Sequence, residues 1–222
     1  MRSIVLLSGG LDSTVALYWA KKHTDIAAAL TLNYNQRHWV EIAQAGRIVR
    51  EAGVKHQIDH IGAAGIGLRG LAANAAPVET FQAAVVPCRN LLFLTIAATW
   101  AEKLEADSII VGFSQADAAD FPDCRRDFLL AAEKAINLSL YRPLHLCAPL
   151  IEMNKKETLT RAKDLGCWEA LRFTWTCYTP ERAGERTGHV RPCGVCPACR
   201  ARAQAFADFG EPDPAAGREV RA

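Results

Sequence analysis

The chain predicts an α/β fold, a doubly wound parallel sheet followed by a small C-terminal segment of separate character, and three observations predict it. Short apolar runs alternate with helical patterns over residues 4–147, a Ser-Gly-Gly turn stands directly behind the first run, and four cysteines cluster near the end. Strand and helix in alternation imply right-handed βαβ units and a parallel sheet covered on both faces, a Rossmann-like arrangement. Ligands in such sheets bind beyond the carboxyl ends of the strands, where the strand order reverses.

Taken in order, Ile4 to Leu7 is a first strand and Thr14 to Lys22, with Val15, Leu17 and Tyr18 at helical spacing, a first helix. Ile26 to Leu32 is strand, Val40 to Ala52 helix and His56 to His60 strand. The stretch from Ile61 to Pro87 carries Gly62, Gly65, Gly67 and Gly70 and is long for a connection inside one domain, which points to a lid or a loose loop. The alternation resumes with a helix at Asn90 to Leu104, a strand at Ser108 to Val111, a helix at Arg125 to Ala135 and a strand at Arg142 to Cys147. Asn154 and Glu157, three apart, read as a capping box that sets Lys155 in the first turn of a further helix. Ser8, Asn33 and Gly112 each open a loop at a strand's carboxyl end, so these three segments are expected to converge. The expected division is a nucleotide-binding domain over 1–170, a cysteine-rich segment over 171–209 and a tail over 210–222. That tail has prolines, charges and alanines without apolar period and is expected to fray.

With 222 residues, half of them apolar, the chain can bury a full core. Its net charge of +2 carries no global footprint for nucleic acid, although residues 182–202 are locally basic. The first apolar run meets Ser-Gly-Gly within a few residues and fails as a signal peptide. Leu91 to Ala101 is broken by Thr95 and Thr99 and is too short to span a bilayer. The expectation is therefore a cytoplasmic protein without a membrane partner. In such a chain, eight cysteines speak for metal rather than disulfides.

Ser8-Gly9-Gly10-Leu11-Asp12-Ser13 looks like an anion cradle. Two glycines let the backbone turn tightly and bring N–H groups up to a phosphate, and the following helix aims its positive end at the same place. The serine hydroxyls add donors, and Asp12 offers an oxygen for Mg2+ among phosphate oxygens. The commoner G-x-x-x-x-G-K-[ST] pattern is absent. The run resembles the SGGxDS loop of the PP-loop ATP pyrophosphatases, which cleave ATP between its α and β phosphates. A plain Ser/Gly turn is the bland alternative, and the six-residue match between strand and helix makes it the minority reading.

Cys177 is followed, after fifteen intervening residues, by Cys193-Gly-Val-Cys196-Pro-Ala-Cys199. Two overlapping C-x-x-C steps plus a distant fourth cysteine suit a closed, tetrahedral, structural zinc that leaves no position for water activation. A redox role would call for a lone C-x-x-C near a βαβ start. An RNA-binding knuckle, with Arg182, Arg186, Arg191, Arg200 and Arg202 nearby, is the remaining alternative.

Four more runs complete a pattern: Asn33-Tyr34-Asn35-Gln36-Arg37-His38, Val86-Pro87-Cys88-Arg89-Asn90, Phe121-Pro122-Asp123-Cys124-Arg125 and Pro149-Leu150-Ile151-Glu152-Met153-Asn154-Lys155. With the glycine loop and the cysteine cluster they resemble, from Ser3 to about Phe209, the QueC-type 7-cyano-7-deazaguanine synthases. The resemblance implies a homodimer with one zinc per chain that uses ATP and Mg2+ to convert 7-carboxy-7-deazaguanine and ammonia into the nitrile, in queuosine precursor synthesis. Carried over to this sequence, Ser8, Gly9, Gly10, Leu11, Asp12 and Ser13 hold ATP; Asp12, Ser13, Lys155, Arg37 and His38 are candidate catalytic groups. Arg89, Asn90, Gln115, Asp117 and Asp123 face the substrate, Cys124 is a packed thiol, and Cys177, Cys193, Cys196 and Cys199 hold zinc. The bland reading of Lys155 is a solvated lysine, and that of His38 a structural histidine.

The run from Gly112 to Arg125 departs from the family pattern: Gln115 replaces a carboxylate, and Ala118 and Ala119 replace an aromatic ring and a hydroxyl-bearing residue. The acceptor half is altered while the ATP half is intact. A QueC-like paralogue that joins the adenylated carboxylate to another amine, on a protein or a nucleic acid, is therefore the second reading. A non-enzymatic zinc-knuckle adaptor is the third.

Overall fold

In a computed structural model that describes residues 1–34, 36, 40–61, 79–182 and 189–221, five strands form one parallel sheet. They are β1 (Arg2–Leu6), β2 (Asp25–Asn33), β3 (His56–His60), β4 (Ser108–Ile110) and β5 (His145–Cys147), in the spatial order β3-β2-β1-β4-β5. The chain first steps outward from β1 to β2 and β3, then crosses back to place β4 on the other side of β1. The order therefore reverses between β1 and β4, the crevice where a doubly wound sheet binds its ligand.

Seven helices follow among the described residues: α1 (Leu11–His23), α2 (Val40–Ala52), α3 (Arg89–Lys103), α4 (Gln115–Asp120), α5 (Arg126–Asn137), α6 (Lys155–Asp164) and α7 (Pro197–Phe209). Strand side chains alternate between faces, and β1 shows the result directly. Ile4 joins Leu94, Ala97 and Ala101 of α3 and Ile136 of α5 on one face. Val5 joins Ala16 and Leu17 of α1 and Ala45 and Ile48 of α2 on the other. A third cluster, with Val15, Leu159, Leu171 and Phe206 buried, packs α6 and α7 onto the outer side of α1. That packing carries the cysteine-bearing segment to the carboxyl end of the sheet.

Expected and observed elements coincide at α2, and at α6, where Asn154 accepts from the Glu157 amide and Glu157 from the Asn154 amide. Two differ. The run expected as strand from Arg142 is strand only from His145, because Leu144 N is held by Asn137 Oδ1 at 2.7 Å, closing a turn behind α5. Residues 115–120, read as loop, form α4, since Ser114 and Asp117 make a capping box before an alanine-rich turn. Within the stretch 61–87, residues 62–78 lie outside the described residues, while Ala84 and Val86 are buried.

The tail expected to fray is held instead. Arg202 on α7 grips Asp213 through Nε and Nη2, at 2.6 and 2.9 Å. Beyond it, Val220 is buried in β8 (Val220–Arg221), which pairs antiparallel with β7 (His189–Arg191); β7 also pairs with β6 (Glu181–Arg182). A composition without apolar period hid a single buried valine and an ion pair. No described helix is long and apolar enough to cross a membrane.

Gly112 follows β4 where a Cβ would stand 2.6 Å from Ser13 N, and the obstacle is helix backbone that cannot turn away. Gly112→Ala should therefore cost about 1–3 kcal/mol in urea unfolding. Gly46→Ala, in α2 with its nearest new contact at 3.6 Å, should gain about 0.5–1 kcal/mol. Equal effects of the two changes would contradict this account of the loop's packing.

Candidate active site

β1 leaves the sheet at Leu6, and the chain turns through Ser8, Gly9 and Gly10 into α1. Gly9 has φ +92°, and a Cβ there would lie 2.3 Å from the Glu41 carbonyl oxygen of α2, so both backbone conformation and space demand glycine. The turn is closed internally: Gly10 N donates to Ser8 Oγ at 3.1 Å, Ser8 and Ser13 share a hydroxyl contact at 3.0 Å, and Thr14 Oγ1 donates to Gly10 O at 2.8 Å. Gly10 is the extended N-cap, so the first amides of α1 have no acceptor within the helix and face the end of the sheet. With the helix dipole behind them they make a site for an anion.

Across this turn lies a charged knot. Lys155 Nζ donates to Asp12 Oδ2 at 2.6 Å, reaches Ser114 Oγ at 3.4 Å and lies 3.6 Å from Asp117 Oδ1. Ser114 in turn donates to Asp117 Oδ2 at 2.7 Å. Three distant segments, α1, α4 and the first turn of α6, are thus joined by one ammonium group. Burial works against the Lys155 cation, but Asp12 and Asp117 outweigh it and hold the group charged, above the usual lysine range. Burial pushes the Asp12 carboxyl up against the pull of Lys155, and its Oδ1 is buried without a partner among the described residues. An oxygen in that condition suits a cation brought in with a ligand.

Beside the knot is a cavity of about 290 Å³, lined from the ends of β1, β2 and β4, as the order reversal requires. Leu6, Leu30, Leu32, Phe93 and Val111 make its apolar wall, suited to a flat heterocycle; Asp12, Glu41, Arg89, Asp117 and Tyr178 are among its polar groups. Arg89 opens α3 directly behind Cys88, a non-glycine residue at φ +61°, and its Nε is buried without a hydrogen-bond partner among the described residues. The guanidinium also bonds to the Tyr34 side chain, so it is held in place with one buried nitrogen left over, a condition characteristic of a binding position. Asn90 donates from its amide to Asp123 Oδ2 at 3.1 Å and from Nδ2 to Asp123 O at 3.2 Å and Cys124 Sγ at 3.3 Å, so Asp123 anchors α3 from behind. Burial pushes the Cys124 thiol far up, as a packed thiol requires.

Of the residues singled out in the sequence, Ser8, Gly10, Asp12, Ser13, Arg89, Asn90 and Asp117 line this cavity, and Lys155 meets it through Asp12. Gly9 is packed against α2, and Leu11 turns into the apolar cluster below α1. Gln115 is exposed and does not line the cavity. Arg37 and His38 lie outside the described residues. Tyr34, Ser114 and Tyr178 escaped sequence reasoning, although Tyr34 sits inside a quoted motif and Tyr178 directly follows Cys177. Burial pushes the Tyr178 hydroxyl up to about 12, so it is a neutral donor at the cavity wall.

Behind Tyr178, the sulfurs of Cys177, Cys193, Cys196 and Cys199 all lie within 4.8 Å of one another. A tetrahedral ion bound at about 2.3 Å separates its sulfurs by about 3.8 Å, so the donor set fits a soft metal. The sulfurs also accept amide hydrogens: Cys177 from Cys193 N at 3.3 Å, Cys193 from Cys196 N at 3.3 Å and Cys196 from Cys199 N at 3.4 Å. Hydrogen bonds from Cys177 and Cys199 pull the Cys196 thiol down.

A family model described as "Queuosine biosynthesis protein QueC" matches residues 2–210. The chain is 40% identical to the 7-cyano-7-deazaguanine synthase of Laribacter hongkongensis, over 97% of this chain and 94% of that protein. It is likewise 40% identical to that of Chromobacterium violaceum, over 96% and 92% of the two chains. Among solved structures, a predicted subunit of tRNA methyltransferase from Methanocaldococcus jannaschii superposes with a TM-score of 0.51 at 16% identity, covering 96% of this chain and 90% of that one. This last likeness bears on the fold alone.

The charged knot makes a measurable statement. Asp12 and Lys155 side chains are about a fifth and a third exposed, so the pair is partly screened. Lys155→Met should lower unfolding free energy by about 1–3 kcal/mol, and a double-mutant cycle with Asp12→Asn should return a coupling of about 0.5–3 kcal/mol. Additive single changes would mean that the pair contributes nothing.

Proposed function

The chain belongs to the QueC family of queuosine biosynthesis proteins, and on that footing we propose that it uses ATP to convert 7-carboxy-7-deazaguanine and ammonia into 7-cyano-7-deazaguanine, releasing AMP and pyrophosphate. The observation that carries the chemistry is the Lys155–Asp12 contact at 2.6 Å, a retained cation at the mouth of an anion-binding turn. A carboxylate resists ammonia because oxide would have to leave. Transfer of AMP to the carboxylate oxygen, with pyrophosphate departing, supplies a competent leaving group; ammonia then displaces AMP and gives the amide. A second ATP activates the amide oxygen in the same way, with pyrophosphate departing, and loss of AMP and both amide protons leaves the nitrile.

In this reading negative charge grows on phosphate oxygens at each activation, and fixed donors aimed there do most of the work. The first amides of α1, the Ser13 hydroxyl and the Lys155 ammonium are the donors, while the unpartnered Asp12 Oδ1 is a ligand for Mg2+ carried by ATP. The apolar wall of the cavity takes the flat rings. Arg89, with Asn90 held by Asp123 beside it, takes the acid or its adenylate, for which a planar guanidinium is suited. Arg37 and His38 belong to the same proposal as a clamp and a proton carrier. Gln115, being exposed, has the weakest support as a substrate contact.

Zinc is the metal we assign to the four cysteines, in a structural role, since a closed thiolate set leaves no position for water. The proposed organisation is a PP-loop domain over 1–170 and a zinc segment over 171–209, in a cytoplasmic homodimer. Exposed Leu130, Leu138 and Tyr141 on and behind α5 offer apolar surface for a second copy.

Incubation with ATP, Mg2+, 7-carboxy-7-deazaguanine and ammonia should yield the nitrile by mass spectrometry, with AMP released in parallel. Asp12→Ala should reduce turnover by at least about a hundredfold, within the range for loss of a charge-stabilising group. AMP with amide or adenylate alone would favour transfer to another amine, and no AMP would sink the enzymatic reading. Zinc should be found at one per chain, and Cys196→Ser should lose it.

A further inference from the structure

We infer that Trp175 is a positioning residue that couples metal binding at the cysteine cluster to the shape of the phosphate turn; the inference rests on the proposal that this turn takes ATP. The four residues Thr174 to Cys177 run as a strap between the two sites, and each is held by a hydrogen bond. Trp175 N donates to Gly9 O at 2.9 Å, which fixes the turn's outer edge. A Cβ on Gly10 would come 3.7 Å from Trp175 O, so the strap lies in contact with the second glycine as well. The buried indole of Trp175 donates from Nε1 to Cys177 O at 3.0 Å, closing a rigid bracket whose far end is a metal-binding sulfur.

The flanking hydroxyls set the strap's position. Arg202 Nη1 donates to Thr174 Oγ1 at 2.8 Å and to Thr176 Oγ1 at 2.9 Å. Arg202 stands on α7, the helix that begins behind Cys196 and carries Cys199, so movement of the cluster is transmitted to both threonines. On the opposite side the turn has no slack, because Gly9 meets the Glu41 carbonyl of α2. The turn is therefore clamped between a core helix and a strap whose geometry the metal fixes. A displaced strap would pull Gly9 O and rotate the peptide that leads into the first amides of α1. Because coupling between two binding sites is reciprocal, a ligand that requires the clamped turn must in return hold the metal.

The test uses zinc-loaded full-length protein and follows zinc transfer to a chromogenic chelator, with and without a saturating non-hydrolysable ATP analogue and Mg2+. In the wild type the analogue should slow zinc release about fivefold or more. Trp175→Phe keeps the backbone bond to Gly9 but loses the indole donor to Cys177 O. It should still bind zinc at one per chain, while the analogue's protection falls below about twofold and its affinity drops several-fold. Thr176→Val, which removes one of the Arg202 acceptors, should weaken protection in the same direction and serves if the tryptophan variant does not fold. Analogue binding without protection in the wild type, or undiminished protection in both variants, would overturn the coupling alone. Failure of the wild type to bind the analogue would overturn the ATP reading and the coupling with it.

Discussion

The absence of room at Gly9 is the constraint on which the rest of the site depends. The turn after β1 is enclosed on three sides by backbone: the Glu41 carbonyl on α2, the approach of Gly112 to Ser13, and the Trp175 amide. Backbone yields less readily than side chains, so the turn inherits its shape from helices and strands anchored in two apolar clusters. The first amides of α1 are thus oriented before any ligand arrives. Preorganised donors of this kind stabilise developing charge without having to reorganise when it appears.

The knot at Lys155 extends the same logic from backbone to side chains. Asp12 and Asp117 come from segments more than a hundred residues apart, and neither carboxylate would be comfortable near the other without the ammonium between them. The cation binds α6 to the sheet's carboxyl end and sets the distance between the anion turn and α4. Lys155, whose bland alternative was a solvated lysine, is a junction of three segments.

Much of this was legible in the sequence where the signal was local. Val40 to Ala52 shows its apolar period plainly, and the Asn154–Glu157 pair announces the start of α6. The glycine turn, the cysteine spacing and Lys155 were readable because each obeys a short-range geometric rule. Other features depend on partners remote in sequence. Asp123 acts through Asn90, thirty-three residues earlier, and no local pattern separates such an anchor from a ligand contact. Gln115 marked a departure in a motif, yet it points outward because the capping box of α4 turns Asp117, not Gln115, toward Lys155. The tail was misread because one buried valine and one bidentate ion pair leave no periodic trace.

The left-handed residue before α3 has a practical side. Cys88 is exposed, whereas the other seven cysteines are buried or partly covered, and four of those are sequestered in the metal cluster. It sits one residue ahead of Arg89 at the cavity wall. Nature has left a thiol where an environment-sensitive dye can be attached without mutagenesis, so occupancy of the cavity becomes something to watch by fluorescence in real time.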